Sequence, residues 1–231
     1  MNSIWDKGQP TGVFAVIEVW SRLWPSTFVG KRSYQNTLFL FQDLSSRMNL
    51  EEIPLAVTDG FGFYEKVIGR VFGSGCLYGQ VIKTRRNDRV VKVERRIVPG
   101  GERRLKQALR DSQDSVKLST SFFERLNLTI RQASAYLGRR TICQARRKER
   151  FEDHLELFRY HYNFSRPHRA LRFGSGVRIP AMQAGLTSRR LTFREIFSSR
   201  MAFLASKYAV LMFTDWTLSV NVTNRRITLA A

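Results

Sequence analysis

Acidic residues are scarce in this sequence. Of its 231 residues, 39 are Lys or Arg and only 19 are Asp or Glu, which gives a formal net charge of +20 at pH 7. An excess of this size favours a polyanionic partner, because every phosphate that a protein neutralises releases counterions into solution. Nucleic acid is therefore the expected partner, and an anionic membrane surface is the rival.

Long apolar runs are also missing. No stretch reaches the length of about 18 apolar residues that a membrane-spanning helix needs. The N-terminus lacks a basic region followed by an apolar core and a small-residue cleavage site. We therefore expect neither a membrane span nor a signal peptide.

Cysteine and histidine are too sparse for the common metal sites. Cys76 and Cys143 are isolated, which excludes a disulfide framework or a thiolate metal site, and we expect core thiols in a reducing cytoplasm. His154, His161 and His168 follow at seven-residue intervals, nearly two helical turns apart, which disfavours one shared ion. We interpret His168 as a phosphate contact or a solvent-facing side chain.

The apolar residues that are present predict a real core. Hydrophobic residues make up 43% of the chain and aromatic residues 12%, enough for one large or two small domains. Their spacing alternates between the period of a strand and that of a helix. The predicted strands are 13–20, 26–30, 53–57 and 77–84, and the predicted helices are 35–48, 64–72, 121–138 and 148–162.

Asp59 lies at the end of a predicted buried strand. The apolar run 53–57 is followed by Thr58-Asp59-Gly60, which places a carboxylate at the C-terminal tip of the strand. The plainer interpretation is that Asp59 only forms the turn before Gly60.

Glu124 lies on a predicted helix. Ser121 and Glu124 have the Ser-x-x-Glu spacing of a helix start, and Glu124, Asn127, Leu128 and Arg131 share one helical face. Glu124 could serve only as the second member of that capping box. In a chain this basic, however, the helix carboxylate and the strand-tip carboxylate together predict a metal site that handles phosphates.

Basic residues are concentrated between residues 85 and 110. This tract contains Pro99-Gly100-Gly101, which predicts a loop or hairpin tip. We interpret it as a surface for the phosphate backbone, and the alternative is a solvated face. Arg85 and Arg86 at its start, and Arg139 and Arg140 after the Glu124 helix, are predicted to bind DNA.

Two segments near the C-terminus differ in character. The stripe of Phe151, Leu155, Phe158 and Tyr162 predicts a core face of the 148–162 helix rather than a base-stacking platform. The segment 198–231 is apolar and β-branched, and its pattern assigns it to no element. Asp215 interrupts its longest apolar portion, which argues against a membrane span.

Several motifs, taken in order, resemble the catalytic region of transposases of the insertion-sequence-one family. They are Thr58-Asp59-Gly60 with Tyr64, the segment 124–132, Leu137-Gly138-Arg139, and Tyr162-Asn163-Phe164. These transposases belong to the DDE group, which shares the ribonuclease-H-like fold with retroviral integrases. The resemblance covers residues 13–197 and implies an α/β ribonuclease-H-like mixed sheet flanked by helices. Residues 1–12 would be an irregular lead-in and residues 198–231 an atypical tail.

The resemblance also implies an activity. Enzymes of this family cut and join DNA at the ends of a mobile element with Mg²⁺ or Mn²⁺, two ions held by three acids. Asp59 matches the second acid and Glu124 the third, while Asn127 and Arg131 match neighbouring positions that would hold DNA. The implied partners are double-stranded DNA and further copies of the chain on that DNA, in a prokaryotic cytoplasm at the nucleoid.

The first acid of the resemblance has no match. It would lie on an opening strand ahead of residues 13–20, where Asp6 lacks β-rich surroundings and Glu18 falls on the wrong strand. We therefore expect an N-terminal truncation, with a frameshift as one explanation of the tail. The alternative function is a non-catalytic DNA-binding remnant or a repressor of transposition. A basic RNA-binding protein of the ribosomal kind is a weaker alternative, since the aromatic residues and apolar strands predict a large core.

Overall fold

Strands and helices alternate along the chain, which confirms the predicted mixed α/β class. The computed structural model describes residues 11–48, 55–73, 76–87, 89–97, 102–111, 118–138, 142–143, 145–174, 176–198 and 226–230. The strands are β1 (Thr11–Glu18), β2 (Thr27–Lys31), β3 (Leu55–Thr58), β4 (Leu77–Arg86), β5 (Arg89–Ile97), β6 (Arg172–Phe173), β7 (Gly176–Val177) and β8 (Arg226–Ala230). The helices are α1 (Tyr34–Ser46), α2 (Tyr64–Phe72), α3 (Glu102–Asp111), α4 (Ser121–Ala133), α5 (Lys148–Phe164), α6 (Pro180–Gln183) and α7 (Phe193–Ser198).

Six strands form one sheet in the order β2-β1-β8-β3-β4-β5. β1 is antiparallel to β2, as the hairpin prediction required, β3 is parallel to β4, and β4 is antiparallel to β5. The unassigned C-terminal segment supplies β8, which pairs antiparallel with β1 and parallel with β3. The tail therefore contributes a central strand through residues 226–230, and 199–225 lie outside the described residues.

Alternation along β1 divides the core between the two faces of the sheet. Phe14 and Val16 belong to a cluster with α1 and α2, whereas Ala15 and Ile17 belong to a cluster with α4 and α5. Fully buried side chains on the α1 and α2 side include Phe41 and Tyr64. The helices thus cover both faces, as expected for a mixed α/β sheet.

A third cluster covers β3 and β4. Leu55 and Val57 of β3 and Val81 of β4 pack with Leu105 of α3 and with Leu118. The basic tract 85–110 was expected to form a surface loop around 99–101. Its described residues form the end of β4, β5 and α3, and the loop or hairpin tip predicted at 99–101 lies outside the described residues. The turn between β4 and β5 falls at Asn87, whose φ of 50° is in the left-handed region.

Two helix ends follow the predicted local chemistry, and a third does not. Ser33 caps α1 by accepting a hydrogen bond from the backbone N–H of Asn36 at 3.3 Å. α2 stops at Gly73, as predicted, with a φ of 70°. The prediction that the Glu124 helix runs to Gly138 is wrong, because α4 ends at Ala133 and a 3-10 turn over 135–137 follows. Gly138 has a φ of −60°, so it forms no left-handed stop.

α5 is fixed against the β1–β2 hairpin by one buried amide. The Oδ1 atom of Asn163 accepts from the backbone N–H of Trp24 at 2.9 Å, and its Nδ2 donates to the backbone carbonyl of Trp24 at 2.9 Å. The Trp24 ring contacts Phe158 and Tyr162 edge-on, with centroids 5.8 and 5.9 Å away. Phe151, Leu155 and Tyr162 are buried, which confirms the α5 stripe as core.

Three remaining sequence features have a clear outcome. Cys143 is exposed, so its prediction as a core residue is wrong, whereas Cys76 is partly buried and this burial raises the pKa of its thiol to about 11. β1 begins at Thr11, inside the predicted lead-in. No helix within the described ranges is long and apolar enough to cross a membrane.

Candidate nucleic-acid interface and acidic pair

Asp59 lies at the C-terminal end of β3 and shapes the turn there. Its Oδ1 atom accepts a hydrogen bond from the backbone N–H of Phe61 at 3.1 Å. The hydroxyl of Thr58 donates to the Asp59 carbonyl at 2.9 Å and lies 2.7 Å from the Tyr78 hydroxyl. The strand-tip position is confirmed, and the carboxylate also takes the turn-forming role.

Glu124 lies in the first turn of α4 but does not form a capping box. The N-cap residue is Thr120, whose side chain makes no capping hydrogen bond to the helix backbone. The Thr120 hydroxyl instead donates to Oε1 of Glu124 at 2.9 Å, and the Lys83 ammonium of β4 donates to the same oxygen. The capping-box interpretation is therefore wrong, and Glu124 is instead held by Lys83 of β4.

Both acids border the same stretch of β4. The register pairs Thr58 with Gln80, so the chain after β3 passes beside the next residues of β4. A Cβ atom added at Gly60 would lie 3.1 Å from Cγ1 of Ile82, and Lys83 contacts Glu124. The fold therefore places the two predicted acids at one end of the sheet.

Neighbouring cations set the charge state of Glu124. Partial burial alone would raise its pKa. The hydrogen bonds from Lys83 and Thr120, together with the positive charges of Lys83 and Arg85, outweigh burial and lower the pKa below its ordinary value. The carboxylate is therefore ionised at neutral pH, and its charge is balanced from within the protein.

A third acid is needed for a two-metal centre, and the described part of the chain does not supply it. No group of three or more His, Cys, Asp or Glu side chains in the described ranges is placed to hold an ion. An opening strand that paired with β1 would need the edge that β8 occupies, since β2 takes the other edge. The five residues of β8, Arg226-Ile227-Thr228-Leu229-Ala230, include no acid.

The two substitutes weighed for the first acid do not change this result. Glu18 is buried at the end of β1, where its carboxylate accepts from the backbone N–H groups of Trp20 and Ser21, both at 2.8 Å. Asp6 lies outside the described residues. With Glu124 also engaged by Lys83, the described residues do not fit a two-metal centre.

The three histidines lie in separate surroundings. His154 contacts Tyr136, His161 contacts Phe193, and His168 contacts Tyr162. Burial first, and then the charges of Arg22, Arg166 and Arg125, lower the pKa of His168 to about 4. His168 is thus half-buried and neutral at pH 7, so it differs from the predicted solvent-facing residue.

The predicted DNA-binding residues differ in their placement. Arg85 and Arg86 are exposed at the end of β4, and Arg131 is exposed in the last turn of α4. Asn127 is half-buried on α4, one turn after Glu124. Arg139 and Arg140 lie outside the described residues.

β4 and β5 extend this surface into a basic hairpin, defined here as the described residues 83–87 and 89–97. β5 is the edge strand of the sheet, and Arg89 to Arg96 are exposed throughout. The β5 cations were not predicted individually, although Val91, Val93 and Ile97 share one face at the two-residue period of a strand and could have revealed it. The cationic side chains of the hairpin are Lys83, Arg85, Arg86, Arg89, Lys92, Arg95 and Arg96.

Acidic residues do little to offset this charge. Glu94 is the one acid among the described residues of the basic hairpin, and it is paired with Lys92. Arg95 is anchored by a hydrogen bond from its Nε to the Leu118 carbonyl at 3.1 Å. The hairpin therefore presents a row of positively charged side chains along an exposed edge strand.

Comparison with known proteins adds no relative: the sequence matches no family model, no curated protein and no solved structure.

Proposed function

We propose that this protein binds double-stranded DNA through the basic hairpin and does not cut it. The observation that carries the proposal is the exposed edge strand β5, since the cations of β4 and β5 outnumber Glu94, the one acid among the described residues of the basic hairpin. Arg and Lys side chains on paired strands have a regular spacing, which suits the regular array of phosphates on DNA better than a mobile tail does.

The shape of the basic hairpin supports the same partner. A two-stranded antiparallel ribbon fits the major groove of B-form DNA, which is about 12 Å wide. Val90, Val91 and Val93 are exposed between the cations and offer apolar contact to base edges or sugars. Binding through phosphates would be strongly salt-dependent and largely independent of sequence.

The state of the acidic pair supports binding without cleavage. Two-metal phosphoryl transfer needs carboxylates that are available to cations. Glu124 is already neutralised by Lys83, and the central strand β8 contributes no carboxylate beside β3. The transposase resemblance then supports the kind of DNA, namely the ends of a mobile element, on a ribonuclease-H-like scaffold that acts as a remnant or repressor.

Salt-dependent DNA binding tests the proposal. Fluorescence anisotropy with a labelled duplex would compare the full chain with an R85A/R86A variant across a range of NaCl concentrations. Because each lost phosphate contact lowers the slope of log K against log salt by about 1, we expect the slope to fall by about 2. A matched variant, K66A/R194A, removes two exposed cations from α2 and α7 and should leave the slope unchanged. Equal slopes in all three proteins would reject the basic hairpin as the interface.

The second candidate is metal-dependent cleavage and strand transfer by the same chain. The observation that favours it is that Asp59 and Glu124 lie at one end of the sheet, bordering the same residues of β4. It requires a further carboxylate from residues such as Asp6, and further copies of the chain on the DNA. Nicking of supercoiled DNA with Mn²⁺ that is lost in Glu124→Gln would establish this function in place of the first.

A further inference from the structure

Lys83 occupies a defined position at the acidic pair. It lies on β4, opposite Val93 of β5, and its side chain is 28% exposed. Its ammonium contacts Oε1 of Glu124, the same oxygen that accepts from the Thr120 hydroxyl. One carboxylate oxygen therefore receives two donors, one of them a full positive charge.

This arrangement matters for any divalent cation. Mg²⁺ and Mn²⁺ prefer carboxylate and hydroxyl oxygens, which are the groups that Glu124 and Thr120 present. A lysine ammonium on the same oxygen takes up its lone pairs and repels a second cation. Arg85 adds a further positive charge close to Glu124.

We infer that Lys83 stands in for a divalent cation at Glu124, and that removing its charge opens a site there for Mg²⁺ or Mn²⁺. Glu124 and the Thr120 hydroxyl are the protein ligands of this site, and water completes the coordination. The inference deepens the proposed function and rests on it, because the Lys83 contact with Glu124 is one of the two observations that support DNA binding without cleavage.

Mn²⁺ binding by the full-length chain tests the inference. Free hydrated Mn²⁺ is measured by electron paramagnetic resonance during titration of the wild type, K83M, K83Q and K83M/E124Q. Met keeps the apolar stem of Lys83, and Gln provides a second neutral variant should Met perturb the fold. Circular dichroism checks that each variant is folded.

A second ion pair in the same hairpin provides the control. Lys92 contacts Glu94 on β5 through the same ammonium–carboxylate chemistry, with side chains 65% and 48% exposed. Lys92 and Glu94 stand on either side of Val93, the partner of Lys83, so strand alternation turns them to the other face of β5. K92M therefore frees a carboxylate without opening a site of the Glu124 kind.

We expect K83M and K83Q to bind Mn²⁺ at least five-fold more tightly than the wild type, and this gain to disappear in K83M/E124Q. K92M should bind like the wild type. The inference is overturned if the folded Lys83 variants gain no affinity, if K92M gains as much, or if the wild type binds equally tightly through Glu124.

DNA binding in EDTA separates this inference from the proposed function. A normal effect of R85A/R86A on DNA affinity, with no Mn²⁺ gain in K83M, would leave the basic hairpin as the interface and reject the role of Lys83. A gain in K83M with no effect of R85A/R86A would establish the latent metal site and reject the interface.

Discussion

The sheet has two unlike halves that meet through β8. In the first half, β1 and β2 face α5, and the buried polar groups of Trp24 and Asn163 are paired with one another. In the second half, β3 and β4 are buried at one end, and β4 and β5 leave the core as the basic hairpin. The positive charge is thus concentrated on the strands that pack least against the core, because exposed cations avoid the free-energy cost of burial. Substitutions in the first half should change stability, and those in the basic hairpin should change DNA affinity.

The largest expected effect comes from breaking the strand that joins the halves. Thr228 lies in the middle of β8, paired with Ile17 of β1 and Val57 of β3. Proline cannot donate to either ladder and clashes within a central strand, so Thr228→Pro should lower the free energy of unfolding by about 3 kcal/mol or more. Urea unfolding followed by circular dichroism measures this.

Thr228→Val is the matched control for that substitution. Valine keeps the backbone N–H and the β-branched shape, so the stability should stay within about 1 kcal/mol of the wild type. If the proline variant unfolds at the same urea concentration as the wild type, β8 does not join the two halves, and the comparison between them loses its basis.

Breaking the contact between α5 and the first half should be the next largest effect. Asn163→Leu leaves the buried N–H and carbonyl of Trp24 without their partner, which costs about 2–4 kcal/mol in the free energy of unfolding. The DNA affinity of the folded fraction should not change, because Asn163 contacts Trp24 and none of the cations of the basic hairpin. Gln132→Leu makes the same chemical change at an exposed position of α4 and should cost little. Equal costs for the two variants would show that the Asn163 amide is not the anchor.

Periodicity predicted the elements whose burial follows from their own sequence. The α5 stripe of Phe151, Leu155 and Tyr162 has a clean helical period, and α5 was predicted to within two residues at its end. β5 was missed because Arg95 interrupts the short alternation of Val91, Val93 and Ile97, and every residue of the other face except Val90 is charged. An edge strand that is exposed along nearly its whole length carries only a weak hydrophobic signal on which a prediction can rest.

Long-range pairing accounts for what local patterns could not predict at the candidate site. Asp59 and Glu124 were recognised from strand-tip and helix-face positions, and these positions hold in the structure. The contact between Lys83 and Glu124 spans 41 residues, and no local rule relates the two side chains. β8 likewise becomes a strand only because β1 and β3 provide its two partners, so residues 226–230 gave no clear prediction.

Acid should weaken the first half through His168. Its pKa is about 4 in the folded protein and about 6.5 when exposed, so the unfolded chain binds more protons between these values and stability falls as the pH drops through that window. His168 is only half-buried, so solvent screens part of this effect, and the loss between pH 7 and pH 5 should amount to about 1 kcal/mol. Urea unfolding at both pH values should show a smaller loss for His168→Gln, since glutamine does not titrate. An identical loss in both proteins would exclude His168 as its source.

The smallest effect is expected at two glycines, Gly69 of α2 and Gly79 of β4. Gly69 lies in α2, where an added Cβ would meet nothing within 4 Å, so Gly69→Ala should stabilise the protein by about 0.5–1 kcal/mol through helix propensity. At Gly79 of β4 the added Cβ would lie 2.7 Å from Cδ1 of Leu118, so Gly79→Ala should destabilise it by about 1 kcal/mol or more. Thermal unfolding distinguishes the two signs.

Anisotropy with the labelled duplex should give the wild-type salt slope for Gly69→Ala, because α2 carries none of the proposed contacts. A changed slope would place part of the DNA interface on α2 and weaken the separation between packing and charge.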